Sequence, residues 1–366
     1  QAVRSKRRPV SQFGSRARST VFRPMARQAA RRRGLRAAFA IASLGAWPLL
    51  LGRATWCAVM GCRRAQPLHC LRPQTWSNRL GITLTPIATG VWAAERPFLW
   101  NGIDVGGRMA VARMGDGTLL VHSPVGWDEA LGAALDALGG GVGHIVSPNF
   151  EHLKYAEQWA ARYPSAAMYG CPGLAERMPQ VSWAQELQGD GSGRVAAWGE
   201  SMEYLFMDCE ANPFTGTPFF NEVVLFHRRS GTLFCSDAFW NYPGTARPNF
   251  DGEGGSASDQ SSDEPKIPTG SVHLCSKVPA AESNGVVPDV EVPFGTRLWK
   301  WGMDTVYLPF YKLAMVGSSG ERRTRYEQCV STILDTWCPE QVAPCHGDVL
   351  RGRELCQRVL REHFLG

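Results

Sequence analysis

His144-Ile145-Val146-Ser147-Pro148-Asn149-Phe150-Glu151-His152 compresses a strand, a break and the start of a helix into one short run. His144-Ile145-Val146 reads as a short strand, and Ser147-Pro148-Asn149 stops it. From His152 to Tyr163 the spacing predicts a helix with Tyr155, Trp159 and Ala160 on one face, ended by Pro164. The junction between strand and helix therefore holds a carboxylate beside an imidazole. Loops at strand ends, carried by a rigid scaffold, are where sites are usually built.

Upstream, Ile82 to Trp92 reads as an opening strand. Met109–Arg113 and Thr118–His122 are apolar runs joined by Gly115-Asp116-Gly117, whose Asp-Gly pair supplies the positive φ of a hairpin turn. Asp128 to Leu138 has helical spacing of Leu131, Ala134, Leu135 and Leu138, and Gly139-Gly140-Gly141 terminates it. Downstream, Ala166–Tyr169, Tyr204–Met207, Val223–His227 and Leu233–Cys235 read as strands, the last two separated by the turn Arg228-Arg229-Ser230-Gly231. Glu321–Trp337 is amphipathic and helical, Val342-Ala343-Pro344 a short strand, and Gly352–Phe364 a closing helix. Phe250 to Asn284, rich in Gly, Ser, Asp and Glu, reads as a surface insertion, placed at about 250–284. Strands and helices that alternate, with hairpins among them, imply an α/β sandwich. No glycine-rich loop follows a strand, so a phosphate cradle is not indicated: Gly139-Gly140-Gly141 follows a helix.

The charge is unevenly placed along the 366 residues. Residues 1–80 hold 17 of the 39 Lys and Arg and no acid, while the remaining 22 basic residues face 33 acidic ones, a net of −11. A body that acidic is a poor phosphate-backbone binder, so no nucleic-acid partner is expected. The Arg-, Ala- and Ser-rich start has the composition of an organelle-targeting leader, assigned to residues 1–80, with the folded domain at 81–366. Ala37 to Gly52 is uncharged but spans only 16 residues, short for a membrane helix and suited to a signal-type apolar core. Arg31-Arg32-Arg33 before it admits a twin-arginine reading as well as a chance one. A two-part leader points to a plastid (stroma or thylakoid lumen), with a mitochondrion second, and no transmembrane segment is expected in the mature protein. The eleven cysteines are scattered without a C-x-x-C pair, which indicates neither a disulfide framework nor a zinc finger.

Two further strand ends carry metal-competent groups: Cys235-Ser236-Asp237 and Cys345-His346-Gly347-Asp348. Imidazole and carboxylate together suit Zn²⁺, Mn²⁺ or Fe²⁺, and Gly347 would let the backbone turn sharply beside an ion. Cys235 and Cys345 read as small buried hydrophobes; His122 and His144 read as core or edge histidines, and His227 as a turn residue. Trp299, Trp301, Phe310 and Tyr311 are either core or the wall of a cleft, with core the commoner use of large aromatics.

On Val146-Ser147-Pro148-Asn149-Phe150-Glu151-His152, Ser236-Asp237 and Pro344-Cys345-His346-Gly347, with Thr118–Pro124, Asn221–His227, Trp299-Lys300 and Leu308-Pro309-Phe310, the body resembles the metallo-β-lactamase fold superfamily. Within it, the chain is similar to an uncharacterised family of plastids and photosynthetic lineages, domain of unknown function 4336. The resemblance implies an αββα four-layer sandwich over roughly residues 82–366. It also implies one divalent-metal subsite of Glu151, His152, Asp237 and His346, with Zn first and Mn or Fe as alternatives. The superfamily's H-x-H-x-D-H motif departs here: Ser147 and Asn149 replace its first two histidines, and Glu151 replaces its aspartate. Its middle Gly-His motif has no match, Glu222 standing nearest. Asn149 is then expected to orient water or substrate, and Glu151 to take part in catalysis. Two carboxylates and two imidazoles would fill four positions and quench the ion, so weak hydrolysis of an unspecified small molecule is expected. The alternative is a non-catalytic relative that serves as a binding or assembly module.

Overall fold

The computed structural model describes residues 72, 75–78, 81–189, 193–242 and 291–366, within a compact unit spanning Ala65–Gly366. The leader's uncharged stretch, its arginine run and the insertion at 250–284 lie outside the described residues. The folded body begins upstream of residue 81, however: Trp76 is buried, Asn78 donates to the carbonyls of Ile82 and Glu95, and Arg72 pairs with Asp128 at 2.6 Å. Among the described residues, no helix is long and apolar enough to cross a membrane.

The first sheet has seven strands in the order β1 (Thr85–Ala88), β2 (Val91–Arg96), β5 (Gly107–Arg113), β6 (Leu119–His122), β7 (Val142–Ser147), β8 (Ala167–Gly170) and β9 (Trp183–Glu186). It starts antiparallel and becomes parallel from β6 onward, where helices supply the crossovers. The short hairpin of β3 (Leu99–Trp100) and β4 (Ile103–Asp104) stands apart from it. The second sheet runs β10 (Met202–Phe206), β11 (Val223–His227), β12 (Thr232–Cys235), β13 (Gln341–Pro344) and β14 (Leu350–Arg351), with one parallel pairing, β12 to β13. The expected opening strand is in fact the β1–β2 hairpin, because Gly90, at φ 71°, reverses the chain.

Side chains alternate across a strand, and here that alternation builds four layers. Ala110 and Ala112 of β5 share a cluster with Val223 and Leu225 of β11 and Phe234 of β12, so this cluster lies between the two sheets. Met109 and Val111 turn the other way, to Leu131 and Leu135 of α1 (Glu129–Leu138) and Trp159 of α2 (Ala156–Arg162). Val224 and Phe226 likewise turn outward, to Ile333 and Leu334 of α5 (321–337) and Leu360 of α6 (Arg353–Leu365). The result is an αββα sandwich. α1 begins where Asp128 accepts the backbone N–H of Leu131 at 2.9 Å, which satisfies one of the orphan donors of the first turn. A short helix, α3 (Leu174–Arg177), follows β8. α4 starts as Phe294–Gly302 and continues through wider π turns to residue 316; it lies over the strand ends that carry the site.

His227, at the end of β11, is buried and neutral. Its Nδ1 meets Ser230 Oγ at 2.7 Å and its Nε2 the Arg113 carbonyl at 3.3 Å, so the bonds assign the proton to Nε2. Burial pushes its pKa down from 6.5 to about 4. The unfolded chain therefore binds the extra proton in that window. The neutral ring's contribution is complete above pH 6.5 and drains away as pH falls toward 4, by about 3 kcal/mol in all. Urea unfolding at pH 7.5 and pH 5 is expected to show about 2 kcal/mol of this loss in the native protein and a smaller one in His227→Gln. Equal losses in both would contradict it.

Candidate metal centre

Three of the four expected ligands converge. His152 follows β7, Asp237 follows β12 and His346 follows β13, and their ligand atoms lie within 4.8 Å of one another. Asp237 faces both rings, Oδ2 at 3.3 Å from His152 Nε2 and Oδ1 at 3.7 Å from His346 Nε2. Two ligands held about 2.0–2.1 Å from a tetrahedral ion stand roughly 3.3 Å apart, so the spacing suits a small divalent cation.

The far nitrogen of each imidazole is tied, which aims the near one at Asp237. His152 Nδ1 bonds Ser123 Oγ at 2.7 Å, and His346 Nδ1–H donates to the Gly106 carbonyl at 2.8 Å. Such partners fix tautomer and ring direction in metal sites. Gly347 holds the His346 loop in shape. At φ 90° a Cβ there would lie 2.0 Å from the carbonyl oxygen of Asn241, whose own N–H donates to His346 O at 3.0 Å. Arg108 of β5 pins the same loop from the first sheet, donating to Pro344 O and pairing with Glu95.

Electrostatics agree with this placement. Burial works against charge on the His152 ring, but the Asp237 carboxylate overrides it and holds the pKa well above 6.5. Burial also raises Asp237, yet His152, followed by His346 and the Asn149 amide, keeps it below the usual carboxylate range. The group is already poised around one shared charge.

Glu151 is corrected as a ligand. It falls outside the converging group, with an exposed side chain at the rim of the same cavity. Its neighbour on the loop, His152, points in; Glu151 stays where water can solvate it. Burial at the rim, then Asp237, raises its pKa. Asn149 is corrected as a water-orienting residue, because its amide is spent on the protein. Its Oδ1 accepts the N–H groups of Glu151 and His152 at 3.0 and 2.9 Å, while its Nδ2 donates to Glu222 at 3.1 Å and Asp237 at 2.7 Å. It is a clamp for the loop and for the bridging carboxylate.

Glu222 is the residue whose role sequence reasoning missed. Buried before β11, it receives the N–H groups of Ser236 (2.6 Å), Asp237 (2.7 Å) and Ala238 (2.9 Å), so it shapes the turn that presents Asp237. Burial and then Asp237 push it up to about 8, against the pull of those donors. The available signal was a lone acid at the head of the apolar run Val223–Phe226, beside Asn221 at φ 59°. Cys345 is buried, as expected, with Sγ 3.3 Å from Ser236 Oγ, and it stands outside the ligand group. Of the aromatics, Trp299 lines the cavity, whereas Trp301 and Phe310 are exposed rather than core or cleft.

The protein is an αββα sandwich with a His-Asp-His group, competent to hold a metal, in loops that follow its strands. Residues 89–253 match the family described as Domain of unknown function (DUF4336). Among solved structures it is similar to the metal-soaked Flv1 flavodiiron core from Synechocystis sp. PCC6803, at 11% identity and a TM-score of 0.46, over 78% of this chain and 61% of that one. It is also similar to the mono-zinc form of the metallo-β-lactamase FIM-1 from Pseudomonas aeruginosa, at 14% identity and a TM-score of 0.43, over 80% and 99% of the two chains. A metallo-β-lactamase from Hirschia baltica aligns at 13% identity and a TM-score of 0.42, over 78% and 96%. No curated protein matches the sequence.

Glu222→Ala strands three buried N–H donors, each worth about 1–3 kcal/mol. A drop in urea-unfolding stability of several kcal/mol is expected, and a drop below about 1 kcal/mol would contradict this role. Glu222→Gln keeps one acceptor and is expected to fall between the two.

Proposed function

We propose that the protein is a metal-dependent hydrolase with one divalent-metal subsite, held by His152, Asp237 and His346, and that zinc is its ion. The observation that carries this is the convergence of two oriented Nε2 atoms on one carboxylate. Two imidazoles and a single carboxylate make a donor set that zinc favours and that leaves a position free for water or substrate. When bound, the metal would polarise a carbonyl and make its water more acidic.

The chain's own residues do the rest. Ser123 and the Gly106 carbonyl hold the rings, and Asn149 holds Asp237. Glu151, outside the ligand group at the rim of the same cavity and with a raised pKa, is the group we assign to take a proton from an attacking water at its carboxylate and return it to the leaving group. Asn149, which stands where the superfamily motif has its second histidine, is engaged in hydrogen bonds to Glu222 and Asp237. The two N–H groups of the Asn149 amide therefore hold both acidic side chains in place without offering an open coordination position. That replacement also favours a second reading, a binding or assembly module that keeps a metal without turnover.

Elemental analysis of the purified full chain tests the first reading. About one ion per chain is expected, lost in His152→Ala, Asp237→Ala and His346→Ala. In Ser123→Ala, where a ring loses its tether, metal affinity is expected to weaken about 10- to 100-fold. Glu151→Gln is expected to keep the ion and lose about 100-fold or more in turnover. Absence of the ion from the native protein rejects the proposal. An ion retained with no turnover on ester, thioester, lactone and phosphodiester substrates selects the second reading.

A further inference from the structure

The cavity that opens over the triad has a volume of about 280 Å³ and a mostly apolar wall rich in aromatic side chains. Phe98, Trp100, Phe219, Phe220, Trp299 and Tyr307 line it, joined by Met303, with His152, Asp237 and His346 at its floor. At about 30 Å³ per non-hydrogen atom, the share of a water molecule in the liquid, that volume holds on the order of nine such atoms.

The wall is built rather than collapsed. Glu210 accepts the N–H groups of Phe219, Phe220 and Asn221 at 3.0, 2.9 and 3.0 Å, so the two phenylalanines stand on one fixed turn. Phe220 packs edge-on against Tyr307 of α4, centroids 6.2 Å apart. Trp299 donates from Nε1 to Tyr242 Oη at 3.1 Å, and Tyr242 in turn stacks on the His346 ring. A chain of oriented rings thus runs from the metal ligand to the outer wall.

The charges that line the cavity leave its middle neutral. Arg108 is paired with Glu95, and Asp237 faces the two imidazoles. Glu151 and Lys154 are exposed at the rim, with the Lys154 ammonium 4.8 Å from the Phe98 ring and 5.2 Å from the Tyr155 ring. A ligand that buries a charged group between floor and rim would find no counter-charge, whereas an apolar group would displace water from aromatic surface at a gain.

We infer that the substrate is a carboxylic ester or thioester of a medium-length apolar acid, its acyl chain lying along Phe98, Phe220, Trp299, Met303 and Tyr307 and its carbonyl at the triad. This rests on the hydrolase reading. Water adds to the carbonyl carbon, the carbon–oxygen or carbon–sulfur bond breaks, and the departing alcohol or thiol takes up the proton. The acid and alcohol or thiol are the products, and no oxidant or reductant takes part.

The test uses the zinc-loaded full chain and its Asp237→Ala variant, titrated calorimetrically with the N-methyl amides of butyric, hexanoic and octanoic acid, neutral analogues that are not turned over. Affinity is expected to rise about threefold to fourfold per methylene in both proteins. In Met303→Trp, which fills the cavity, the rise with chain length is expected to vanish. Phe98→Ala, at the half-buried rim, is the second variant should Met303→Trp not fold, with octanoyl binding weakened severalfold. Turnover of p-nitrophenyl acetate, butyrate and octanoate by the zinc-loaded chain is expected to climb in the same order. A flat amide series, or a rise that survives both variants, overturns the inference. So does hydrolysis of the acetate as fast as the octanoate. A rising amide series with no ester hydrolysis and no bound metal supports the apolar cavity and instead removes the hydrolase reading.

Discussion

Asp237 is the point on which the rest of the structure turns. Its carboxylate is drawn out of water, and an ion so placed is tolerated only with partners on every side. The partners come from both sheets: His152 and Asn149 from the loop after β7, and His346 from the loop after β13. Glu222 then fixes the turn on which Asp237 sits through three backbone N–H groups. The sandwich brings these loops to one edge because β12 and β13 pair in parallel, so that both end on the same side. Ligands in open α/β structures collect at such ends for the same reason.

The asymmetry of the centre follows from this arrangement. A second cation needs imidazoles with free nitrogens, and Ser147 and Asn149 supply none. What occupies the space is an amide whose two N–H groups reach Glu222 and Asp237 and whose oxygen caps the turn at 151–152. An amide clamp holds carboxylates in place without lowering the pKa of any water. In the proposed reading the chemistry is concentrated on one ion, with Glu151 outside the ligand group as the proton carrier.

Much of the scaffold was legible in the sequence because each signal was local. Asp128 caps α1, Gly139 ends it, and Asp116-Gly117 turns the β5–β6 hairpin, with Asp116 bonding the Thr118 N–H at 2.9 Å. His152, Asp237 and His346 were expected as ligands through the resemblance, and each lies in a loop that follows a strand. β9 was not, since Trp183–Glu186 is a short edge strand with no apolar alternation. α4 was hidden by its two apolar faces: Trp299, Met303 and Tyr307 line the cavity, while Phe294, Leu298 and Trp301 are exposed, and Pro309 sits in mid-helix between π turns. The roles of Glu222 and Ser123 were not legible, because their work is to hold backbone and ring nitrogens and no spacing rule reveals that. Glu151 was over-read, since a carboxylate beside a histidine in sequence need not face the same way.

Loading the purified chain with cobalt(II), followed by optical absorption, tests the proposed centre most directly. The arrangement of two imidazoles and one carboxylate predicts one cobalt per chain, weak visible bands, and no intense sulfur-to-metal band, because Cys345 lies outside the ligand group. Failure to bind cobalt, or an intense thiolate band that disappears in Cys345→Ser, would contradict it.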